Sequence, residues 1–207
     1  MDWLSEEKQF YATGFENVCG IDEAGRGPLA GPVYVAAVIL PRGKTIDGVN
    51  DSKKLSAKKR ELLFDRIVEQ ALSYSIISAD VEEIARKNIL GATLAAMQRA
   101  VAALSIPADA ALVDGNRLPS LSIPTRCVIK GDGKVACIAA ASILAKVSRD
   151  RYMIELDARY PQYGFAKHKG YPTKAHYQAI LKYGPSPVHR AYFLRNLEEK
   201  RKIYAET

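Results

Sequence analysis

The chain has 207 residues, 48% hydrophobic and 26% charged, the mix of an ordinary globule large enough for its own core. Intrinsic disorder, collagen and coiled coil are excluded as descriptions of the whole. The net charge is +7, with −3 on residues 1–50, +4 on 51–150 and +6 on 151–207; base gathered toward the C-terminus suits a polyanion such as nucleic acid, or a solvated basic surface.

The first ten residues, MDWLSEEKQF, are acidic and lack the apolar core of a secretory leader. The most apolar run, residues 33–40, is far shorter than the ~20 residues a membrane-spanning helix needs. A cytoplasmic protein with no membrane contact is therefore expected. Cys19, Cys127 and Cys137 are odd in number and form no C-x-x-C pair, which favours three buried thiols over disulfides or zinc.

In chain order, residues 18–22 read as a strand stopping near Glu23. Residues 33–40, rich in β-branched side chains and closed by Pro41, are a second strand. Ser56 caps a helix with apolar positions at Leu62, Leu63, Ile67, Val68 and Leu72. Residues 74–79 are a third strand. Asn88 caps the next helix, through Leu94, Met97, Val101 and Leu104. Residues 110–113 and 126–130 are two more strands, followed by Asp114-Gly115 and Gly131-Asp132-Gly133. A long helix spans about 135–160; its first half is small or apolar on every side and so is expected to be buried. A Pro/Gly/Tyr-rich loop covers 161–172, and two short basic helices follow near 173–183 and 189–202. The pattern predicts one α/β domain over 1–207, a mixed sheet covered by helices, with a small C-terminal helical extension from about residue 161.

Three strands end in acid: Asp22 with Glu23, Asp114, and Asp132. Ligand sites in α/β sheets lie at the carboxyl ends of strands. If these strands are parallel neighbours, the four carboxylates converge. Bare anions so close would protonate unless cations were present, and hard Mg²⁺ or Mn²⁺ take oxygen ligands. Two such metals suit phosphodiester hydrolysis. Asp22 and Glu23 face opposite ways on a regular strand, so both reach one site only if the chain turns at Glu23. Strand-end aspartates also simply cap turns. The sequence contains no P-loop, no G-x-S-x-G and no third glycine after Gly25-x-Gly27.

The run Gly20-Ile21-Asp22-Glu23-Ala24-Gly25-Arg26-Gly27-Pro28-Leu29-Ala30-Gly31-Pro32 resembles the opening motif of type 2 ribonuclease H, the ribonuclease HII family. Asp51-Ser52-Lys53-Lys54-Leu55, Val113-Asp114-Gly115, Lys130-Gly131-Asp132, the run from Ala140 to Val147, and His168-Lys169-Gly170-Tyr171-Pro172-Thr173-Lys174 are similar to further family motifs, in order. The resemblance implies a ribonuclease H-like mixed five-stranded sheet flanked by helices. It implies endonucleolytic cleavage of the RNA strand of RNA–DNA hybrids and incision at single ribonucleotides in duplex DNA. Two metal ions, Mn²⁺ or Mg²⁺, held by Asp22, Glu23, Asp114 and Asp132, would leave 3′-hydroxyl and 5′-phosphate ends. Gly25, Arg26 and Gly27 fall on the family's substrate-binding element, and Tyr171 on its tyrosine beside the scissile ribonucleotide. Arg26 could instead form a structural salt bridge, and Tyr171 could merely anchor its loop.

Lys53, Lys54, Lys167, Lys169 and Lys174 are candidates for phosphate contact. Asp150 lies either near the metals or in a helical ion pair. Many relatives have Ser where this chain has Gly133, a change that loosens the turn. The type 3 enzymes carry an extra N-terminal substrate-binding domain, for which the roughly 17 residues before the first strand leave little room. A monomer is expected. The rival readings are a junction-resolving nuclease of the same fold and a non-catalytic hybrid-binding module.

Overall fold

A computed structural model of the chain describes residues 2–49, 52 and 55–204, with the side chain of Lys202 outside that set. Lys53 and Lys54, two of the candidate phosphate contacts, lie outside the described residues.

Five strands, β1 (Val18–Ala24), β2 (Val33–Ile39), β3 (Ser73–Ala79), β4 (Ala110–Asp114) and β5 (Thr125–Val128), form one sheet in the order β3-β2-β1-β4-β5. β1, β2 and β3 are an antiparallel meander. β4 joins the other side of β1 in parallel, and β5 is parallel to β4. β1, β4 and β5, the three strands that precede the acids, are therefore parallel neighbours. β2 is buried on both faces except at Tyr34, which is why it reads as an unbroken apolar run.

The helices are α1 (Ser5–Ala12), α2 (Ala57–Gln70), α3 (Val81–Ala102), α4 (Ala136–Arg159), α5 (Phe165–His168), α6 (Lys174–Tyr183) and α7 (Leu197–Tyr204). α4 and α2 cover one face of the sheet, and α3 covers the other. Alternation along β1 turns Val18 and Ala24 toward α4, and Cys19 and Ile21 toward α3. Residues 136–145 are all buried, as a helix apolar on every side requires. A Cβ at Gly20 would lie 2.2 Å from the Cys137 carbonyl carbon, so α4 rests on β1 at a separation that glycine permits. A third apolar cluster ties Leu29 and Ala30 to Met153 and Leu156 of α4 and to Tyr163, Phe165 and Tyr177 beyond it.

Several expectations need correction. The sequence pattern does not predict α1; its acidic sequence has no apolar stripe, and it is held by Phe10 in the core and by buried Glu7 accepting from the Cys137 amide at 3.1 Å. α3 begins at Val81, with Asp80 as its cap. Asn88 does cap the second half: it leaves the helix at φ 57°, and its Oδ1 accepts from Leu90 and Gly91, each at 3.0 Å. β5 ends at Val128, because Lys130 adopts a left-handed φ of 57° and Asp132 lies on a 3₁₀ turn, Gly131–Gly133. The expected 161–172 loop contains a short 3₁₀ turn and α5, and the second basic helix is broken into a 3₁₀ turn, Ala191–Leu194, and α7. Cys19 and Cys137 are buried, but Cys127 is only partly so.

Candidate active site

The register of β1 on β4 pairs Ile21 with Val113, so Asp22 and Asp114 follow together at the same edge. Asp22 is buried, and its Oδ1 accepts from the Glu23 amide at 2.7 Å. The Ser142 hydroxyl also bonds its carboxylate, and Ser142 Oγ is 2.7 Å from Ser52 Oγ. Burial first, then the Glu23 and Asp114 charges, push Asp22 well above the usual carboxylate range; the two hydrogen bonds oppose this.

Pairing along β1 remains regular through Ala24, opposite Tyr34. The required turn therefore comes at Gly25, φ 99°, and not at Glu23. Glu23 starts on the face opposite Asp22, yet its charge still acts on Asp22. It also pairs with the Arg26 guanidinium at 3.3 Å, the structural salt bridge that is the alternative role for that residue.

Asp132 arrives by a different route. Asp114 Oδ1 accepts from the Gly131 amide at 2.7 Å, which fastens the 3₁₀ turn carrying Asp132 to the end of β4. Gly133 sits in that turn without a positive φ, and a Cβ there would meet nothing within 4 Å, so the turn does not depend on glycine. Among the described residues no three carboxylates, imidazoles or thiols form a closed metal-holding group. The acids share a strand-end edge and are not a preformed cage. Their chemistry nonetheless fits a hard divalent cation: the donors are all oxygens, and the Glu23 and Asp114 charges that act on the buried Asp22 are ones a cation would offset.

The Gly25–Gly31 loop and Tyr171 lie beside one another. A Cβ on Gly27 would sit 3.8 Å from Tyr171 Cε1, and the Leu29 amide donates to the Gly170 carbonyl at 2.8 Å. Tyr171 is 40% exposed, with Lys146 Nζ and the Arg149 guanidinium 5.9 and 5.8 Å from its ring centre. Asp150 pairs with Lys146 at 2.7 Å and approaches Arg60 at 3.9 Å, which accounts for it as a helical ion pair. Lys167 and Lys174 are exposed, whereas Lys169 bonds the Ala166 carbonyl.

Sequence reasoning misses two buried arginines. Arg149 donates to the carbonyls of Pro32, Lys169 and Ala30 at 3.0, 3.0 and 3.2 Å. Arg190 donates to Gly31, Arg26, Pro28 and Gly25 at 2.9, 3.0, 2.9 and 2.7 Å. Neither has a carboxylate beside it among these bonds, and burial lowers Arg190 to about 9. Arg149 leaves a signal: it lies on one helical stripe with Ala145, Met153 and Leu156, all buried. Spacing gives no such signal for Arg190.

A family model described as Ribonuclease HII matches residues 19–196. The chain is 63% identical over 176 residues to a protein named Ribonuclease HII from Dechloromonas aromatica, spanning 85% of this chain and 90% of that one. Among solved structures, ribonuclease H2 from Pyrococcus horikoshii aligns with a TM-score of 0.73 at 26% identity, over 90% of this chain and 99% of that one. Bst-RNase HIII in complex with Mn²⁺ aligns with a TM-score of 0.65 at 19% identity, over 95% and 73%, a likeness of fold.

Proposed function

The chain belongs to the ribonuclease HII family, and from that premise we propose that its acidic sheet edge cuts the RNA strand of RNA–DNA hybrids and nicks duplex DNA at single embedded ribonucleotides. As a member of that family it is a ribonuclease H endonuclease. The observation that carries the finer reading is the parallel register of β1 on β4, which brings Asp22 beside Asp114 while Gly131 ties the Asp132 turn to the same strand end.

Asp22, Glu23, Asp114 and Asp132 would hold Mg²⁺ or Mn²⁺; the Mn²⁺ complex of the Bst-RNase HIII neighbour is in keeping with that all-oxygen set. Two such ions, when bound, neutralise charge developing on the phosphate and make water a competent nucleophile near neutral pH. The chain's own part is to hold the carboxylates still. The Glu23 amide and Ser142 hydroxyl fix Asp22, and the Gly131 amide fixes Asp114. In-line attack of water on phosphorus would leave a 3′-hydroxyl and a 5′-phosphate.

Discrimination falls to the wall formed by Gly25, Arg26, Gly27 and Tyr171. The 2′-hydroxyl, donor and acceptor at once, is what separates ribose from deoxyribose. The Arg26 side chain is engaged with Glu23, so the loop backbone is the better candidate to read that hydroxyl, with the exposed Tyr171 as a flat surface for the neighbouring sugar. The charge excess over residues 151–207 supports a polyanionic duplex as partner.

A labelled DNA duplex with one ribonucleotide, an all-DNA control and a continuous hybrid, each with Mg²⁺, Mn²⁺ or EDTA, tests the reading. The expected result is metal-dependent nicking on the 5′ side of the ribonucleotide, and no cut in the control. Cutting of the continuous hybrid alone would remove the single-ribonucleotide role. Failure to cut either would leave a hybrid-binding module.

A further inference from the structure

The adjacent pair His189-Arg190 joins both halves of this wall without belonging to either. The four carbonyls that accept from Arg190 all lie on residues 25–31, the turn between β1 and β2. A trans peptide points its carbonyl and the next N–H in opposite directions. With the Gly25 and Arg26 carbonyls drawn inward onto the buried guanidinium, the N–H groups of Arg26 and Gly27 are turned away from it. Both residues are exposed, and Gly27 adjoins Tyr171. The guanidinium thus aims two backbone donors outward beside that ring.

His189 acts on the other half. The Ser186 amide donates to His189 Nδ1 at 3.0 Å, so the ring proton is on Nε2. His189 Nε2–H then donates to His176 Nε2 at 3.1 Å, which leaves the His176 proton on Nδ1, donating to the Tyr171 carbonyl at 3.0 Å. His176 and His189 are both buried. Each hydrogen bond dictates the next, and the relay ends on the backbone of Tyr171. Main-chain bonds hold the same junction: Arg190 N to Leu29 O at 2.8 Å, and Gly31 N to Val188 O at 2.9 Å.

We propose that His189 and Arg190 are positioning residues for ribose discrimination, setting the outward N–H groups of the Gly25–Gly27 turn and the Tyr171 backbone in one fixed relation. This rests on the reading of that wall as the ribose site. A guanidinium suits the task because its planar fork spans several carbonyls at once; a lysine ammonium keeps the charge and loses the fork.

The test is duplex binding by the full chain, with Ca²⁺ replacing the activating ion, to a DNA duplex with one ribonucleotide and to its all-DNA counterpart. The wild type should prefer the ribonucleotide duplex by about tenfold, the scale of one or two hydrogen bonds to a single hydroxyl. Arg190→Lys should bring that preference toward parity while leaving affinity for the all-DNA duplex unchanged. A folded variant that keeps the full preference overturns the proposal, as does one that weakens on both duplexes equally. If Arg190→Lys does not fold, His189→Ala carries the same test from the Tyr171 side, with the guanidinium left in place. A wild type with no preference overturns the ribose-site reading and the positioning role with it.

Discussion

The acidic edge and the wall beside it are assembled by different means. Asp22 and Asp114 meet because two parallel strands pair in one register. A slip of one residue would turn Asp22 to the opposite face, so the hydrophobic pattern that fixes the sheet also fixes the acids. The Gly25–Gly31 turn lies outside that register, and main-chain bonds reach it at Leu29 and Gly31. Its carbonyls are held by side chains 119 to 165 residues away, Arg149 from α4 and Arg190 from the segment after α6. A site built on backbone register inherits the stability of the sheet. A site built on long-range side-chain bonds can be loosened on its own.

The largest effect is expected at the edge. Asp22→Asn keeps the side chain's shape and an acceptor for the Glu23 amide but removes the charge. Cleavage should fall by ~10³-fold or more, the loss expected when several kcal/mol of charge stabilisation disappears. The melting temperature should hold or rise, since a carboxylate that burial disfavours is gone. Single-turnover cleavage beside a thermal melt reads both. A folded variant that still cuts would break the assignment of the edge.

That edge is legible in the sequence because strand ends are local features. Apolar runs closed by acid and then glycine are enough to locate Asp22 and Asp114, and the Ser56 cap of α2 is as expected, its side chain accepting from the Lys59 amide at 3.3 Å. Asp132 is located for a partly wrong reason: the strand stops at Val128, and the left-handed Lys130 delivers the acid. The wall is legible only in its glycines and Tyr171. Arg190, His176 and His189 carry no signal in the sequence, because burial of a charged or titratable side chain depends on which carbonyls the fold brings to it. α1 escapes for the same reason: Glu7 and Phe10 find their partners only in the folded chain.

Acid should separate the two regions. Burial, the main cause, holds His176 and His189 each down to about 4, from an ordinary 6.5. The unfolded chain then binds protons first, so their stabilisation is complete above about 6.5 and is lost as the pH falls toward 4. Protonating His176 at Nε2 breaks its bond from His189, and protonating His189 at Nδ1 breaks its bond from the Ser186 amide. The loss should be on the order of 3 kcal/mol for each ring. Amide exchange at pH 5 should rise first in residues 163–190, while β1 and β4 stay protected. Simultaneous loss of both would mean that the wall has no independent stability.

Two glycines two residues apart sharpen the contrast. Gly25 has φ 99°, and a Cβ there would lie 2.0 Å from Arg149 Nε. Gly25→Ala should destabilise by ~1–3 kcal/mol and impair activity with it. Gly27 has no positive φ, and its Cβ would meet only Tyr171 at an ordinary 3.8 Å. Gly27→Ala should leave stability within ~0.5 kcal/mol while lowering kcat/KM on a single-ribonucleotide duplex. Melting curves and kinetics on both variants decide whether the turn's two ends do different work.

The smallest effect is expected at a buried acid outside both regions. Glu7 resembles Asp22 in that burial raises its carboxyl above the ordinary value, yet it comes from α1 and accepts from the Cys137 amide in the first turn of α4. A folded pKa above the unfolded value means that the unfolded chain ionises first. Wild-type stability should therefore decline as pH rises from about 4.5 through the raised value. Glu7→Gln keeps an oxygen for the Cys137 amide and has nothing to ionise, so its melting temperature should lack that decline and kcat should be unchanged. Burial alone thus raises both carboxyls, and only the one at the parallel strand ends should matter to cleavage. A Glu7→Gln chain that folds and loses activity would show that the acidic edge depends on how α4 is capped, and that backbone register alone does not set it.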